Sequence, residues 1–359
     1  MSVALSRRTL CSGLAAAAAA ACAPRAALAA ALAAPLERPA LRLRDPRRAA
    51  MLGLAQAGPR IVAVGERGTV LLSDDAGSSW RQAASVPISA TLTAVQFASE
   101  RVGWAVGHYG VVLRSDDGGE HWTRQLEGSA AAQLMLADAK ATGNARAVAE
   151  AERAVQEGTD KPLLALQFAN DSDGIVAGAF NLLLQTKDGG KTWVSIASRL
   201  DNPKSAHLYA LYRSGVELLV AGEQGLLAYS GDGGGSFERV ETPYKGSYFC
   251  VAREAGGSWL VAGLRGTALR SRDGGRNWTT LAVPAPVSLT ALAPAAGGET
   301  WLANQAGQVL AATPSADKLE LVVQTSAQQP SDLLRLGPDA LLVAGWNGIT
   351  RAVDLPHAR

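Results

Sequence analysis

Short runs of apolar residues recur along the chain and are separated by Gly, Asp, Asn and Ser. The clearest set lies at 92–98, 103–109, 111–116 and 121–125, where apolar residues are continuous or alternate with polar ones. Runs of this kind with tight turns between them predict four antiparallel strands joined as a meander. The chain is therefore expected to be an all-β protein.

One sequence signature occurs seven times: an apolar pair, Gly, two variable residues and a second turn residue. The leading residues of these VGxxG turns are Gly65, Gly107, Gly178, Gly222, Gly263, Asn304 and Gly345, at spacings of 42, 71, 44, 41, 41 and 41. Repeats of about 40–50 residues are typical of propellers. Seven such units account for residues 35–359, which predicts one seven-bladed β-propeller of four-stranded antiparallel blades.

A second signature, the Asp box, follows the first in five of the units, at 73–80, 115–122, 186–193, 230–237 and 271–278. Its Asp carboxylate can accept backbone N–H groups, its Gly can adopt positive φ, and its aromatic residue can cover the hairpin. Repetition at one position indicates a folding device rather than a catalytic group. The predicted structural residues are Asp75, Trp80, Asp117, Trp122, Asp188, Trp193, Asp232, Phe237, Asp273 and Trp278.

The long spacing between the second and third units predicts an insertion at 128–160. These residues are rich in Ala, Glu and Arg, a composition that favours helices. Asn144 can cap a second helical segment. Apolar faces are offered by Leu134, Leu136, Ala147, Ala151 and Val155. We expect a helical hairpin between blades two and three, with a surface loop as the alternative.

The last unit supplies strands at 332–337, 340–346 and 348–354 and is one strand short. Leu41 and Leu43 alternate with polar residues in the segment 39–45, ahead of the first unit. An unpaired sheet edge is a liability that proteins cover. We therefore expect 39–45 to pair as the outer strand of blade seven.

Residues 1–34 have the features of an export signal. Arg7 and Arg8 precede an apolar run that begins at Leu14, and the small-residue triplets at 27–29 and 31–33 are typical of cleavage sites. The paired arginines predict the twin-arginine route, with a Sec signal as the alternative. A lipid anchor on Cys22 is a weaker alternative, because no Leu lies three places before it. We expect a soluble periplasmic protein after signal removal.

The formal net charge of +2 depends on the signal, because the rest of the chain holds 31 basic and 32 acidic residues. This balance lacks the basic footprint of a nucleic-acid-binding protein. Beyond the signal only Cys250 remains, which excludes a disulfide in the mature chain and favours a buried core residue. We expect a monomer without metal or cofactor. The histidines lack metal-site spacing: His108, His121, His207 and His357.

Together, the Asp boxes and the VGxxG turns resemble the photosystem II stability/assembly factor family, the exported propellers of cyanobacteria and chloroplasts, and their relatives in non-photosynthetic bacteria. The likeness covers the whole mature chain. The segment EGTDKPLLALQFAN (157–170), at the end of the insertion, is similar to the bacterial relatives. The resemblance implies a non-enzymatic factor that assists the assembly or stability of a membrane protein complex, with a membrane protein or complex as its partner.

A glycoside hydrolase of the sialidase type is the alternative, since sialidases also carry Asp boxes. Such an enzyme needs an arginine triad, an activated Tyr nucleophile and an acidic proton donor. No Arg-Ile-Pro occurs, and Arg60-Ile61-Val62 is the nearest match. Glu66 and Glu223 occupy equivalent turn positions, where solvated turn acids are the simpler interpretation. We expect no enzymatic activity.

A four-stranded meander places the turn after strand two and the link after strand four on one face. The VGxxG turns, here called tip turns, and the insertion should share this tip face, while the Asp boxes lie on the opposite face. Aromatic and Arg side chains at exposed tips are typical interface anchors, although ordinary turn residues are the alternative. Glu223, Gln224 and Gln305 are also tip residues. The predicted partner-binding residues are Arg67, His108, Tyr109, Phe180, Arg265, Trp346 and Asn347.

Overall fold

The computed structural model describes residues 34–158, 160–294, 298–337, 339–353 and 355. From Pro35 onward the described residues form one compact unit. The predicted export signal, apart from Ala34, lies outside the described residues, as does His357. Within the described ranges, no helix combines the length and apolar character needed to cross a membrane.

The predicted seven-bladed β-propeller is confirmed, with strands that follow one another outward from the channel within each blade. Blades one to three comprise β1 (Met51–Ala57), β2 (Arg60–Gly65), β3 (Val70–Ser73), β4 (Arg81–Gln82), β5 (Leu92–Phe97), β6 (Gly103–Gly107), β7 (Val112–Ser115), β8 (Thr123–Leu126), β9 (Leu163–Phe168), β10 (Gly174–Gly178), β11 (Leu183–Thr186) and β12 (Val194–Ser195). Within each of these blades, neighbouring strands pair antiparallel.

The remaining blades repeat the same order, and the described part of blade seven has three strands. They comprise β13 (Leu208–Ser214), β14 (Glu217–Gly222), β15 (Leu227–Ser230), β16 (Glu238–Arg239), β17 (Tyr248–Arg253), β18 (Trp259–Gly263), β19 (Ala268–Ser271), β20 (Thr279–Thr280), β21 (Leu289–Pro294), β22 (Thr300–Asn304), β23 (Gln308–Ala312), β24 (Leu319–Gln324), β25 (Asp332–Arg335), β26 (Leu341–Gly345) and β27 (Gly348–Ala352).

The core lies between neighbouring blades, because the second and third strands are buried on both faces. Trp104 of β6 is fully buried at the interface of blades two and three. Its ring stacks on Phe168 at a centroid distance of 4.2 Å, and the Arg114 guanidinium lies 5.1 Å from it. Aromatic stacking and cation–π contacts of this kind add to the free energy gained from burial.

In blades two, three and seven, a side chain near the end of the third strand also bonds to the outer turn of the next blade. The Arg114 guanidinium donates to the Gly189 carbonyl at 2.9 Å, and the Gln185 amide donates to Gly233 at 3.2 Å. Arg351 of blade seven donates to Ala76 of blade one at 3.1 Å, and so helps to close the ring.

Near the channel, hydroxyl groups of the innermost strands connect adjacent blades. Thr93 donates to Leu163 O at 2.6 Å, and Thr290 donates to Pro330 O at 2.5 Å. At the junction of blades seven and one, Ser331 donates to Met51 O at 2.8 Å. The ring therefore closes through inter-blade hydrogen bonds as well as through packing.

The expected role of 39–45 as the outer strand of blade seven is wrong. This segment runs beside blade one, where Ala40 N donates to Val86 O at 3.0 Å and Leu43 N donates to the Gln82 side chain at 2.9 Å. Leu43 packs against the apolar cluster between blades seven and one. Local alternation of Leu41 and Leu43 indicates an extended segment, but hydrogen bonds to residues 82–86 hold this segment beside blade one.

The insertion forms the predicted helical hairpin, with α1 at Gly128–Thr142 and α2 at Ala145–Glu157. Asn144 caps α2 as expected, because its side chain accepts from the backbone N–H groups of Arg146 and Ala147. The Asp138 carboxylate accepts from the Ser195 hydroxyl at 2.8 Å and from Ser198 N at 3.0 Å. The hairpin is thus held against blade three on the tip-face side of the propeller.

Candidate functional site: the tip face and the channel mouth

The Asp boxes lie on the hairpins between the third and fourth strands, and all five have the same hydrogen-bond pattern. In the first, Asp75 Oδ1 accepts from Ser79 N at 2.8 Å, and Ser79 Oγ donates to Asp75 Oδ2 at 2.6 Å. These hydrogen bonds lower the pKa of Asp75 to about 2. The equivalent bonds are made by Asp117, Asp188, Asp232 and Asp273.

Sequence reasoning missed the hydroxyl that opens each box. The Ser73 hydroxyl bonds to Asp75 Oδ1 and accepts from Gly77 N, both at 2.8 Å. The same position is Ser115, Thr186, Ser230 and Ser271 in the other boxes. Its recurrence as Ser or Thr was a signal available in the sequence.

The aromatic residue of each box covers its hairpin to a different extent. Trp122 and Trp193 are buried, whereas Trp80, Phe237 and Trp278 keep some exposed surface. The indole N–H of Trp80 donates to Gly77 O at 3.2 Å, and Trp122 and Trp278 repeat this bond at Gly119 and Gly275. The Asp-box residues therefore stabilise their own hairpins.

The leading glycine of each tip turn is required by a close backbone approach. A Cβ atom on Gly65 would lie 2.1 Å from Ala50 O, and one on Gly107 would lie 2.1 Å from Thr91 O. In blade six, Asn304 takes this position and its side chain accepts from the N–H groups of Ala306 and Gln308. The tip turns are therefore folded tightly against the strand that enters the same blade.

The residue at the summit of the tip turn adopts a left-handed conformation in five blades. Its φ lies between 54° and 61° at Arg67, Tyr109, Phe180, Gln224 and Arg265. Only Gly, Asn and Asp enter this region readily, and larger residues there are uncommon. The backbone thus carries bulky side chains at a strained position on the tip face.

Most of the predicted partner-binding residues are exposed in the structure. Phe180 is 47% exposed and Trp346 is 63% exposed, which is unusual for such large apolar side chains. Arg67, His108 and Arg265 are exposed as well. Two residues have additional structural contacts: Tyr109 packs partly against the core, and the Asn347 side chain bonds to Gln328 N and Ser326 O.

A cavity of about 630 Å³ lies at the centre of the ring. Its walls come from the innermost strands, with residues such as Thr93, Leu164 and Phe249, together with the tip residues Gln305 and Trp346. Because Gln305 and Trp346 lie on the tip face, the cavity reaches that face of the channel. Its volume is in the range of ligand sites in proteins.

A row of rings leads from the rim into this cavity. The ring centroids of Phe180 and His207 are 4.6 Å apart, those of His207 and Tyr209 are 6.2 Å apart, and those of Tyr209 and Phe249 are 5.3 Å apart. Lys161 Nζ lies 5.2 Å from the Phe180 ring centroid. The row gives one side of the channel mouth an aromatic surface.

The Tyr209 hydroxyl donates to Glu223 Oε1 at 3.0 Å, and this pair is the one sialidase-like feature of the described site. Burial, together with the Glu223 carboxylate, raises the pKa of Tyr209 to about 12, which keeps the hydroxyl protonated. Burial also acts to raise the pKa of Glu223, but hydrogen bonds from His207 N–H and Tyr209 outweigh it and the pKa is lowered. These properties are opposite to those of an activated nucleophile and a protonated acid.

The carboxylate of Asp332 is the one ionised group at neutral pH among the described residues that line the cavity. Its Oδ2 accepts from Leu54 N at 2.7 Å, and its Oδ1 accepts from Leu333 N at 2.8 Å. Burial raises its pKa to about 6 in spite of these bonds. Cys250 is also buried in the wall, where burial raises the pKa of its thiol.

Comparison with protein families identifies a match for residues 144–281, which run from α2 to the outer strand of blade five. The matching model is that of the photosynthesis system II assembly factor YCF48. Over these residues the chain is similar to the photosystem II assembly factor family. The resemblance expected from the sequence is therefore confirmed, whereas the assignment to a non-photosynthetic branch stays a prediction.

Solved structures similar to this assembly factor-like propeller include YCF48 bound to a D1 peptide, with 19% identity, a TM-score of 0.63, and coverage of 88% of this chain and 99% of that one. YCF48 from Cyanidioschyzon merolae has 14% identity, a TM-score of 0.61 and coverage of 88% and 98%. Virginiamycin B lyase from Staphylococcus aureus has 11% identity, a TM-score of 0.67 and coverage of 87% and 97%. At these identities the likeness establishes the fold. No curated protein sequence matches the chain.

Proposed function

We propose that this protein is an exported, non-enzymatic binding module that assists the assembly or stability of a membrane protein complex. The observation that carries the proposal is the tip face, where strained turns hold large exposed side chains around an aromatic-lined cavity. Such a surface is suited to bind a segment of another protein. The similarity to YCF48, which has been solved with a bound D1 peptide, supports a partner of this kind.

The chemistry of the channel supports a binding role over a hydrolytic one. A two-carboxylate glycosidase needs a pair of acids that face each other across the substrate, and Asp332 has no second acid beside it among the described lining residues. Glu66 and Glu223, the two turn acids considered from sequence, are directed to their own blades. They accept from Ala50 N and His207 N respectively.

The binding proposal predicts that replacing Tyr109, Arg265 and Trp346 by Ala abolishes co-purification of the partner from solubilised membranes. Each true anchor removed from an interface costs about 1–2 kcal/mol or more, so three together would weaken binding by several hundredfold. The measurement is capture by the tagged protein, with circular dichroism and a melting curve to establish that the variant is folded.

A matched control places changes on the opposite face. Lys191 and Arg276 are exposed positions within two Asp boxes, and their replacement by Ala should leave capture unchanged. If the folded tip-face variant still captures the partner as well as this control does, the binding surface lies elsewhere. Removal of 128–158 provides a separate test of whether the helical hairpin contributes.

Export is tested by replacing Arg7 and Arg8 with Lys in a reporter fusion. The paired arginines motivate the twin-arginine route, and we expect transport to stop in the variant because Lys does not reproduce the guanidinium fork. The measurement is reporter activity in the periplasmic fraction. Unchanged export would assign the signal to the Sec route.

A further inference from the structure

The walls of the channel cavity are apolar or uncharged except at one point. Leu52, Leu164, Phe249 and Leu292 supply apolar surface, while Gln305 and Gln329 add uncharged polar groups. No basic side chain lines the cavity in the described part of the chain. The wall thus combines a large apolar area with one negative charge, that of Asp332.

The fold itself does not require this charge. Asp332 accepts from Leu54 N and so joins blade seven to blade one. Between blades two and three a neutral side chain does the same, because the Gln96 amide oxygen accepts from Phe168 N at 2.7 Å. A neutral side chain could accept the same N–H without the cost of burying an ionised carboxylate. The negative charge of Asp332 therefore indicates a role in addition to ring closure.

Asp332 also has acceptor capacity left for a ligand. Each carboxylate oxygen has two lone pairs, and the two described bonds use one on each oxygen. The groups shown close to the carboxylate are the Leu54 and Leu333 amides, which donate to it, and the Cys250 thiol, whose pKa it helps to raise. A cationic group that entered the cavity would gain a charge-assisted hydrogen bond in surroundings of low dielectric constant.

We propose that the cavity receives an apolar peptide segment of the partner that carries one lysine or arginine, with Asp332 as its anionic contact. The inference rests on the proposed function, because the cavity opens on the face that carries the exposed tips. The negative charge of Asp332 favours a lysine or arginine side chain. The apolar walls favour apolar residues on either side of it in the segment. Continuity of the cavity with Trp346 and Gln305 at the mouth favours a peptide over a small free amine.

The test measures peptide binding to the purified full-length protein by isothermal titration calorimetry at pH 7.5. The probes are capped hexapeptides of leucine and alanine whose central residue is lysine, norleucine or glutamate, together with hexylamine. We expect the lysine peptide to bind at least about tenfold more tightly than the norleucine peptide, and the glutamate peptide to bind most weakly.

Two variants identify the group responsible. In Asp332→Asn the preference for lysine over norleucine should fall to within about twofold. Glu238→Gln removes one exposed carboxylate from the outer strand of blade four and should keep the full preference. Melting curves establish that both variants are folded.

Equal binding of the lysine and norleucine peptides to the unmodified protein would overturn the inference, as would an unchanged preference in Asp332→Asn. If hexylamine bound as tightly as the lysine peptide, the ligand would be a small amine, and the inference of a peptide would be rejected. Partner capture that depends on Tyr109, Arg265 and Trp346 but not on Asp332 would reject this inference alone. Capture that depends on none of the four residues would reject the proposed function as well.

Discussion

Replacing Asp332 with Asn is expected to increase the free energy of unfolding at pH 7.5 by at most about 3 kcal/mol. The pKa of Asp332 is raised from 3.8 to about 6 by burial in the channel wall. A carboxyl group whose folded pKa is raised destabilises the native state wherever it is ionised, because the unfolded chain releases the proton more readily. Asn retains an oxygen that can accept from Leu54 N and carries no charge.

The pH dependence gives the sharper test of this prediction. Below about pH 4 the carboxyl group is protonated in both states, and the variant should gain little. Between about pH 4 and 6 the stability of the unmodified protein falls relative to that of Asp332→Asn, and above pH 6 the difference is constant. The measurement is urea unfolding at several pH values. The control Glu238→Gln should show no such trend, and a pH-independent difference for Asp332→Asn would contradict the assignment.

Replacing Glu254 with Ala is expected to destabilise the protein by about 3–5 kcal/mol. Glu254 and Arg270 form an ion pair whose side chains are fully buried, with Oε2 to Nε at 2.6 Å and Oε1 to Nη2 at 2.7 Å. Arg270 also donates to Ala316 O of blade six. Removal of the carboxylate leaves a guanidinium charge buried without compensation, which costs more than the lost pair contributes.

The neighbouring pair of Arg272 and Asp317, at 2.8 Å, provides the control because it is exposed. Asp317→Ala should cost less than about 1 kcal/mol. A double variant, Arg270→Met with Glu254→Leu, should recover most of the lost stability, since it leaves no unpaired charge. Denaturant unfolding measures all three, and a loss in Glu254→Ala no greater than in Asp317→Ala would show that Arg270 finds another partner.

Glu254, which is fully buried, and Asp332, which is partly buried, illustrate different uses of charge in one propeller. Glu254 is neutralised by a bidentate arginine and ties blade five together beside blade six. Asp332 has only backbone N–H partners and faces the cavity, so it keeps a raised pKa. A stability gain in Asp332→Asn together with a loss of lysine preference would indicate that the fold gives up stability at this residue for binding.

The repeat determined the fold from sequence because each blade is a local structure. Gly65 and its equivalents recur where the entering strand leaves no room for a side chain, and Asp75 and its equivalents recur where a hairpin needs a carboxylate. Asn144 likewise marks the start of a helix, because its side chain bonds to the backbone of residues only two and three places away. Such local requirements leave a periodic trace in the amino-acid sequence.

The tertiary structure decided what depends on distant residues. The segment 39–45 lies beside blade one rather than blade seven, because its hydrogen-bond partners are residues 82–86, which are close to it only in the folded ring. Asp332 drew no attention in the sequence, since its burial and its bond to Leu54 join residues 278 positions apart. The sequence alone determined the seven blades, the insertion and the exposed tips, whereas the chemistry of the channel arises only where the innermost strands of all the blades meet.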